Sequence, residues 1–186
     1  MTWAFGPLKM FGYDVIVADP PWDFKVWSAT GEKKGARHHY RTMRFPDIAS
    51  IPVGQLARGD CLLLLWACGC MLPQAIEVMT AWGFVFKSEI VWIKVTKNGL
   101  PRMGTGYRVR SMHEPILVGT IGSPQHKAFP SAFLGIAREH SRKPEEFYDL
   151  VRKRTPRWRR ADLFSRETRP GFTGWGIEHG KFDEAA

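Results

Sequence analysis

The 186-residue sequence predicts an α/β fold, a mostly parallel sheet flanked by helices. Three observations carry the prediction. Short apolar runs bounded by turn residues recur along the chain without in-out alternation, the pattern of strands buried on both faces. Segments of helical periodicity lie between them, so strand and helix signals alternate. A composition that is 44% hydrophobic and 13% aromatic gives enough apolar material for one sizeable core, and the length fits a single domain over residues 1–186.

The strands follow in order. Tyr13 to Ala18 (YDVIVA) is the first apolar run, Cys61 to Ala67 (CLLLLWA) the second, Phe84 to Lys94 the third and Pro115 to Thr120 (PILVGT) the fourth. Between the second and third, Pro73 to Trp82 carries Ala75, Ile76, Val78, Met79 and Trp82 at helical spacing, with Gly83 just past the end. This makes a βαβ unit. Pro144 to Arg154 reads as a helix with proline in its first turn and Phe147, Leu150 and Val151 on one face, before a short strand at Ala161 to Phe164. In such sheets ligands bind beyond the carboxyl ends of the strands, so residues following each strand are the first candidates for a site.

Charge is distributed unevenly. The net charge is +9, yet Lys94 to Arg166 alone holds 16 basic and 6 acidic residues. A one-sided basic surface is the footprint of a polyanion partner, although a solvated basic face would give the same count. Two long irregular segments, Asp23 to Arg44 and Val95 to Arg110, concentrate such residues: Lys33, Lys34, Arg37, His39, Tyr40, Arg41 and Arg44 in the first, Arg102, Tyr107, Arg108 and Arg110 in the second. Basic side chains interleaved with aromatics suit an arm that grips phosphates and stacks on bases. The arginine-lysine run at 152–160 is expected to share that footprint.

Other classes fall away. Gly104-Thr105-Gly106 follows a loop and lacks a third glycine, and there is no Walker loop, so nicotinamide and nucleoside triphosphate sites are not expected. Cys61, Cys68 and Cys70 are clustered and odd in number, which fits free buried thiols in a reducing compartment better than disulfides or a metal. No apolar run approaches the roughly 18 residues of a membrane span, and the expected location is cytoplasmic.

One motif carries chemistry. Asp19-Pro20-Pro21-Trp22 follows directly on the first strand. A purine amino group is a poor nucleophile because its lone pair is delocalised into the ring; two acceptors binding both its protons favour a pyramidal nitrogen with an available lone pair. Asp19 supplies one acceptor and the Pro20 carbonyl the other. Pro21 restricts Pro20 to extended geometry, and Trp22 offers a flat face for the base. Such a site works by positioning and charge stabilisation. A Pro-Pro turn with a core tryptophan is the alternative.

Further motifs accompany it in order: Tyr40-Arg41-Thr42-Met43, Leu65-Trp66, Glu89 to Lys94, His113-Glu114 before Leu117-Val118-Gly119, His140 to Glu146, and Leu163-Phe164-Ser165-Arg166. Together with Asp19-Pro20-Pro21-Trp22 they resemble the MTA-70-like adenine methyltransferases over most of the chain. The resemblance implies a Rossmann-like class I methyltransferase of permuted motif order, with the catalytic segment before the strand that binds S-adenosylmethionine (SAM). By motif, Asp19 to Trp22 would be catalytic; Asp19, Lys94, Phe164, Ser165 and Arg166 would hold SAM, Lys94 at its carboxylate and Arg166 near its ribose. Ser141 reads as a helix cap. The chain departs from the family at Trp175 to Lys181, where relatives carry Trp-x-x-Gly-Asn-Gln/Glu.

The expected activity is methylation of the adenine 6-amino group in DNA. RNA as substrate and a catalytically silent scaffold subunit are the alternatives. A homodimer is one route to sequence specificity, since 186 residues are taken up by the catalytic fold.

Overall fold

A computed structural model describes residues 3–23, 42–104, 108–138 and 142–183. The elements are β1 (Tyr13–Ala18), α1 (Phe45–Ala49), β2 (Ala57–Trp66), α2 (Leu72–Ala81), β3 (Val85–Val95), β4 (His113–Ile121), β5 (Ala132–Ile136), α3 (Glu145–Arg154), β6 (Arg160–Leu163) and β7 (Thr173–Trp175). They form one sheet of order β5-β3-β4-β2-β1-β6-β7.

The sheet is mixed. β4 runs antiparallel to both β2 and β3, while the remaining pairings, β1 with β2, β1 with β6, β3 with β5 and β6 with β7, are parallel. The sequence correctly makes β2 and β3 parallel strands joined by α2, but β4 occupies the position between them. A parallel crossover over one sheet position leaves a slot, and β4 fills it by turning back from β3.

Burial on both faces explains why the Val15 to Ala18 part of β1 and the Cys61 to Trp66 part of β2 lack polar positions. Ile16, Ala18, Leu63 and Leu65 face a core completed by Ile48 of α1 and by Ala75, Val78 and Met79 of α2. Val15, Val17, Leu62 and Leu64 face the other side, against Phe147, Tyr148 and Val151 of α3. With helices on both faces, every residue from Val15 to Ala18 and from Cys61 to Trp66 is buried. α2 approaches β4 closely at Gly119, where a β-carbon would lie 2.6 Å from Met79 Sδ.

Some expectations need correction. β3 is not buried on both faces over its whole length: Val85 to Glu89 is exposed, because β5 pairs with β3 only from Val91 onward. β2 begins at Ala57, with the polar Arg58-Gly59-Asp60 accommodated by a register shift against β1. α1, β5 and β7 have five, five and three residues, too short for periodicity to show. Among the cysteines only Cys61 is fully buried, Cys70 being exposed. No helix among the described residues is long and apolar enough to cross a membrane.

Candidate active site

The Asp19-Pro20-Pro21-Trp22 segment leaves β1 at its carboxyl end as a tight turn. The Asp19 N–H still donates to the Leu163 carbonyl of β6 at 3.2 Å, so the parallel ladder fixes where Asp19 begins. The Trp22 N–H donates to the Pro20 carbonyl at 2.8 Å. One lone pair of that oxygen remains for another donor. The Pro21 carbonyl accepts from Met43 N–H at 2.9 Å, and Thr42 Oγ1 donates to Asp23 Oδ1 at 3.1 Å. Thr42 and Met43, which the sequence places in a separate motif, are thereby stitched to the turn.

Trp22 departs from expectation. Its ring is 3% exposed, within the core, and its indole N–H donates to the Trp66 carbonyl at 3.0 Å. It anchors the turn to the end of β2 and presents no open face for a base. The bulky indole is the side chain that satisfies both demands, apolar packing and a buried carbonyl.

Four charges alternate across the carboxyl ends of β1 and β3 and the start of β4. Lys94 Nζ lies 2.6 Å from Glu114 Oε1; Lys143 Nζ lies 3.0 Å from Glu114 Oε2 and 3.2 Å from Asp19 Oδ1. The Lys143 ammonium also sits over the Trp66 ring, 4.8 Å from its centroid. Burial pushes the Asp19 carboxyl up, and Lys143 opposes it. Burial would raise Glu114 as well, but Lys143 and Lys94 outweigh it and hold this carboxyl at about 2. For Lys143, burial favours the neutral amine and the two carboxylates overcome it, raising its pKa.

A second buried group adjoins the first. Asp162, on β6, is 2% exposed, with Arg169 Nη1 at 3.2 Å and the Tyr148 hydroxyl at 3.4 Å. Burial lifts its carboxyl to about 7 against the pull of Arg169. Asp19, Lys143, Asp162, Phe164, Ser165 and Arg166 line one narrow cleft at the ends of β1 and β6. Phe164 holds φ at +59°, a left-handed conformation uncommon for a bulky residue, and packs edge-on against Trp175. Ser165 Oγ contacts His179 Nδ1 at 2.6 Å, and Arg166 Nε pairs with Glu178 Oε2 at 2.8 Å. The divergent Trp175 to Lys181 segment thus closes over Leu163-Phe164-Ser165-Arg166.

Of the expected nucleic-acid residues, Arg44, Arg102, Arg108 and Arg110 are described. Lys33, Lys34, Arg37, His39, Tyr40, Arg41 and Tyr107 lie outside the described residues, as does Ser141. Arg44 is exposed and pairs with Asp47 at 2.9 Å. Arg102 is exposed, with Nη1 donating to the Ala137 carbonyl at 2.7 Å, and Arg110 donates to the Gly104 carbonyl at 3.1 Å; Arg108 is also exposed. These three arginines flank the turn between β3 and β4, beside Lys94. The 152–160 run lies elsewhere, at the amino end of β6, away from the cleft.

This geometry can be set against known proteins. The MT-A70 family model matches residues 13–178. The chain belongs to the MT-A70 family. Among its relatives, the type II methyltransferase M.MunI of Mycoplasma sp. is 29% identical across 94% of this chain and 81% of its own length. A probable N(6)-adenosine-methyltransferase MT-A70-like protein of Oryza sativa subsp. japonica is 32% identical across 86% of this chain and 21% of its own. The catalytic subunit METTL3 of Homo sapiens is 28% identical across 83% of this chain, which spans 26% of it. The chain therefore spans about a quarter or less of these two larger relatives.

MT-A70 methyltransferases draw their methyl group from SAM. The donor set of the cleft fits that molecule: the Asp19 carboxylate suits its amino group, Lys143 and Arg166 its carboxylate and hydroxyls, and Phe164 its apolar parts, while Asp162 lies beneath them with Arg169 and Tyr148 as partners. Lys143, Glu114 and Asp162 have no assigned role in the sequence. Lys143 and Glu114 stand inside recognised motifs, but only the fold brings residues so distant in the chain to Asp19.

Proposed function

We propose that this chain is a SAM-dependent methyltransferase of the adenine 6-amino group in DNA, acting through one Rossmann-like class I domain of permuted motif order. The observation that carries this reading is the intact Asp19-Pro20-Pro21-Trp22 turn, with Asp19 half-buried at the end of β1 and held by Lys143 at the edge of the cleft. The likeness to M.MunI supports DNA.

When bound, SAM supplies a methyl group on a positively charged sulfur. The chain supplies the rest. The Asp19 carboxylate and the free lone pair of the Pro20 carbonyl accept the two amino protons and expose the nitrogen lone pair. Asp19, whose proton affinity burial has raised, also takes the proton that the methylated nitrogen sheds. Lys143 fixes the Asp19 carboxylate and is better placed than Lys94 to meet the cofactor carboxylate, since Lys143 lines the cleft whereas Lys94 connects to it through Glu114. Phe164, Ser165 and Arg166 line the cofactor side. Lys33, Lys34, Arg37, His39, Tyr40, Arg41 and Arg44, with Arg102, Tyr107, Arg108 and Arg110, grip the backbone around a flipped adenine.

Competition of adenine-containing DNA and RNA oligonucleotides for labelled SAM in one tube tests the reading. Label is expected in DNA. Label in RNA alone would install the RNA alternative, which the likeness to METTL3 favours. No transfer by the lone chain would favour a scaffold.

A further inference from the structure

The amino end of the sheet carries a concentration of cations that the cleft does not use. Six of the nine residues from Arg152 to Arg160 are basic and none is acidic. Two of the six are structural. Arg152 pairs with Glu145 at 2.7 Å and Asp149 at 2.6 Å. Arg160 is 9% exposed and donates to the Thr155 side chain at 3.0 Å, closing the carboxyl end of α3. The other four, Lys153, Arg154, Arg157 and Arg159, have no carboxylate partner among the described residues, and Lys153, Arg157 and Arg159 are exposed.

The fold adds to this group. Lys127 is exposed, and its N–H donates to the Arg154 carbonyl at 3.2 Å, which lays the segment after β4 beside the run. On the other side, Lys9 and Arg159 border a shallow pocket of about 270 Å³ together with Gly12, Tyr13 and Thr173. The Asp14 carboxylate beside it is engaged by the Arg159 N–H at 2.8 Å and by Arg58 at 3.5 Å. Arg157 is the tip of a turn and holds φ at +67°. Glycine or asparagine would occupy that backbone with less strain, so the position keeps its guanidinium at a conformational cost. Trp158, next to it, has its ring 6.2 Å from that of His126, which places aromatic surface among the charges.

Tyr13 borders this pocket and Asp19 borders the cleft, at opposite ends of a strand of six residues, roughly 20 Å apart at ~3.3 Å per residue. A straight duplex laid across the carboxyl ends of the strands faces away from this surface. We infer that the Arg154-Arg157-Arg159 face, with Lys9, Lys127 and Lys153, is a second nucleic-acid surface that grips a separate duplex segment through its phosphates. Exposed cations spread along the run without carboxylate partners suit a repeating phosphate backbone better than a single small anion. The surface tethers the enzyme to DNA while the cleft is free to sample adenines.

The inference stands apart from the adenine chemistry, and the test separates them. Wild type and a Lys153→Gln/Arg157→Gln/Arg159→Gln triple variant are titrated at low salt with a duplex of about 12 base pairs, with stoichiometry read by native mass spectrometry. Circular dichroism melting confirms folding, and an Arg157→Lys/Arg159→Lys variant keeps the charge. Wild type and the lysine variant are expected to take one duplex at each end, and the triple variant one fewer. On long duplex the salt slope of the triple variant flattens by about 2.7 for three lost phosphate contacts. Failure of the proposed catalytic end alone would leave wild type with a single duplex and the triple variant with none. Equal stoichiometry and equal slopes in wild type and triple variant would overturn the inference. So would wild-type binding to phosphatidylserine vesicles that the triple variant loses while its DNA binding is unchanged.

Discussion

The two ends of the sheet handle charge in opposite ways. At the carboxyl end, Lys94, Glu114, Lys143 and Asp19 alternate in sign within 3.2 Å contacts, and the Lys143 side chain is 11% exposed. At the amino end, Lys153, Arg157 and Arg159 stand in solvent without carboxylate partners among the described residues. Buried charges must be neutralised where they sit, whereas exposed ones can await a partner. The first arrangement orients groups for chemistry. The second stores attraction for a polyanion.

Substitutions at the two ends should therefore differ in kind. Lys143→Met is expected to have the largest effect, because it strands the Asp19 carboxylate and leaves Glu114 with Lys94 alone: about 3 kcal/mol of stability lost in denaturant unfolding, and methyl transfer reduced at least ~100-fold. An unaltered midpoint would mean that the charge alternation contributes nothing. Gly119→Ala forces a methyl against Met79 and should cost about 2 kcal/mol, read as a lowered melting temperature, with the α2 face shifted but the cleft intact. Trp22→Phe removes the donor to Trp66 and leaves a void where the larger indole packed, for a loss of about 2 kcal/mol. By contrast Arg159→Gln should change stability by less than about 0.5 kcal/mol, since its side chain is a solvated cation.

The pH dependence sharpens the comparison. Glu114 is held at about 2 in the fold against an ordinary value of 4.5, so its contribution is fully present above that ordinary value and is lost as pH falls toward 2. Asp162 runs the other way. With its carboxyl raised from 3.8 to about 7, the fold binds a proton that the unfolded chain has released, and stability declines as pH rises through that window. Urea titrations of Asp162→Asn beside wild type should show the variant gaining relative stability between these values. Parallel curves would contradict the assignment.

Legibility followed the same division between what is local and what is assembled. β1, β2, α2, β3, β4, α3 and β6 are visible in sequence because apolar periodicity and turn residues act over neighbouring positions. β4 between β2 and β3 is not, since nothing local states the direction of a strand. In the site, Asp19, Phe164, Ser165 and Arg166 are legible from motifs and line one cleft. The pairing of Asp19 with Lys143 depends on tertiary closure across more than a hundred residues, and that of Lys143 with Glu114 across 29, and no spacing rule encodes either. Trp22 illustrates the converse error: an aromatic beside a reactive residue reads as a stacking surface, yet the Trp66 carbonyl claims its indole. The 152–160 run was legible as charge but not as position, because the sheet separates its two ends.

The most direct measurement is product analysis of DNA incubated with SAM and the lone chain, by mass spectrometry of the liberated nucleosides, beside Asp19→Ala. N6-methyladenine is expected from wild type, formed faster on single-stranded or mismatched DNA because less unstacking is required, and none from Asp19→Ala. Absence of the methylated base with wild type, or equal yield from Asp19→Ala, would contradict it.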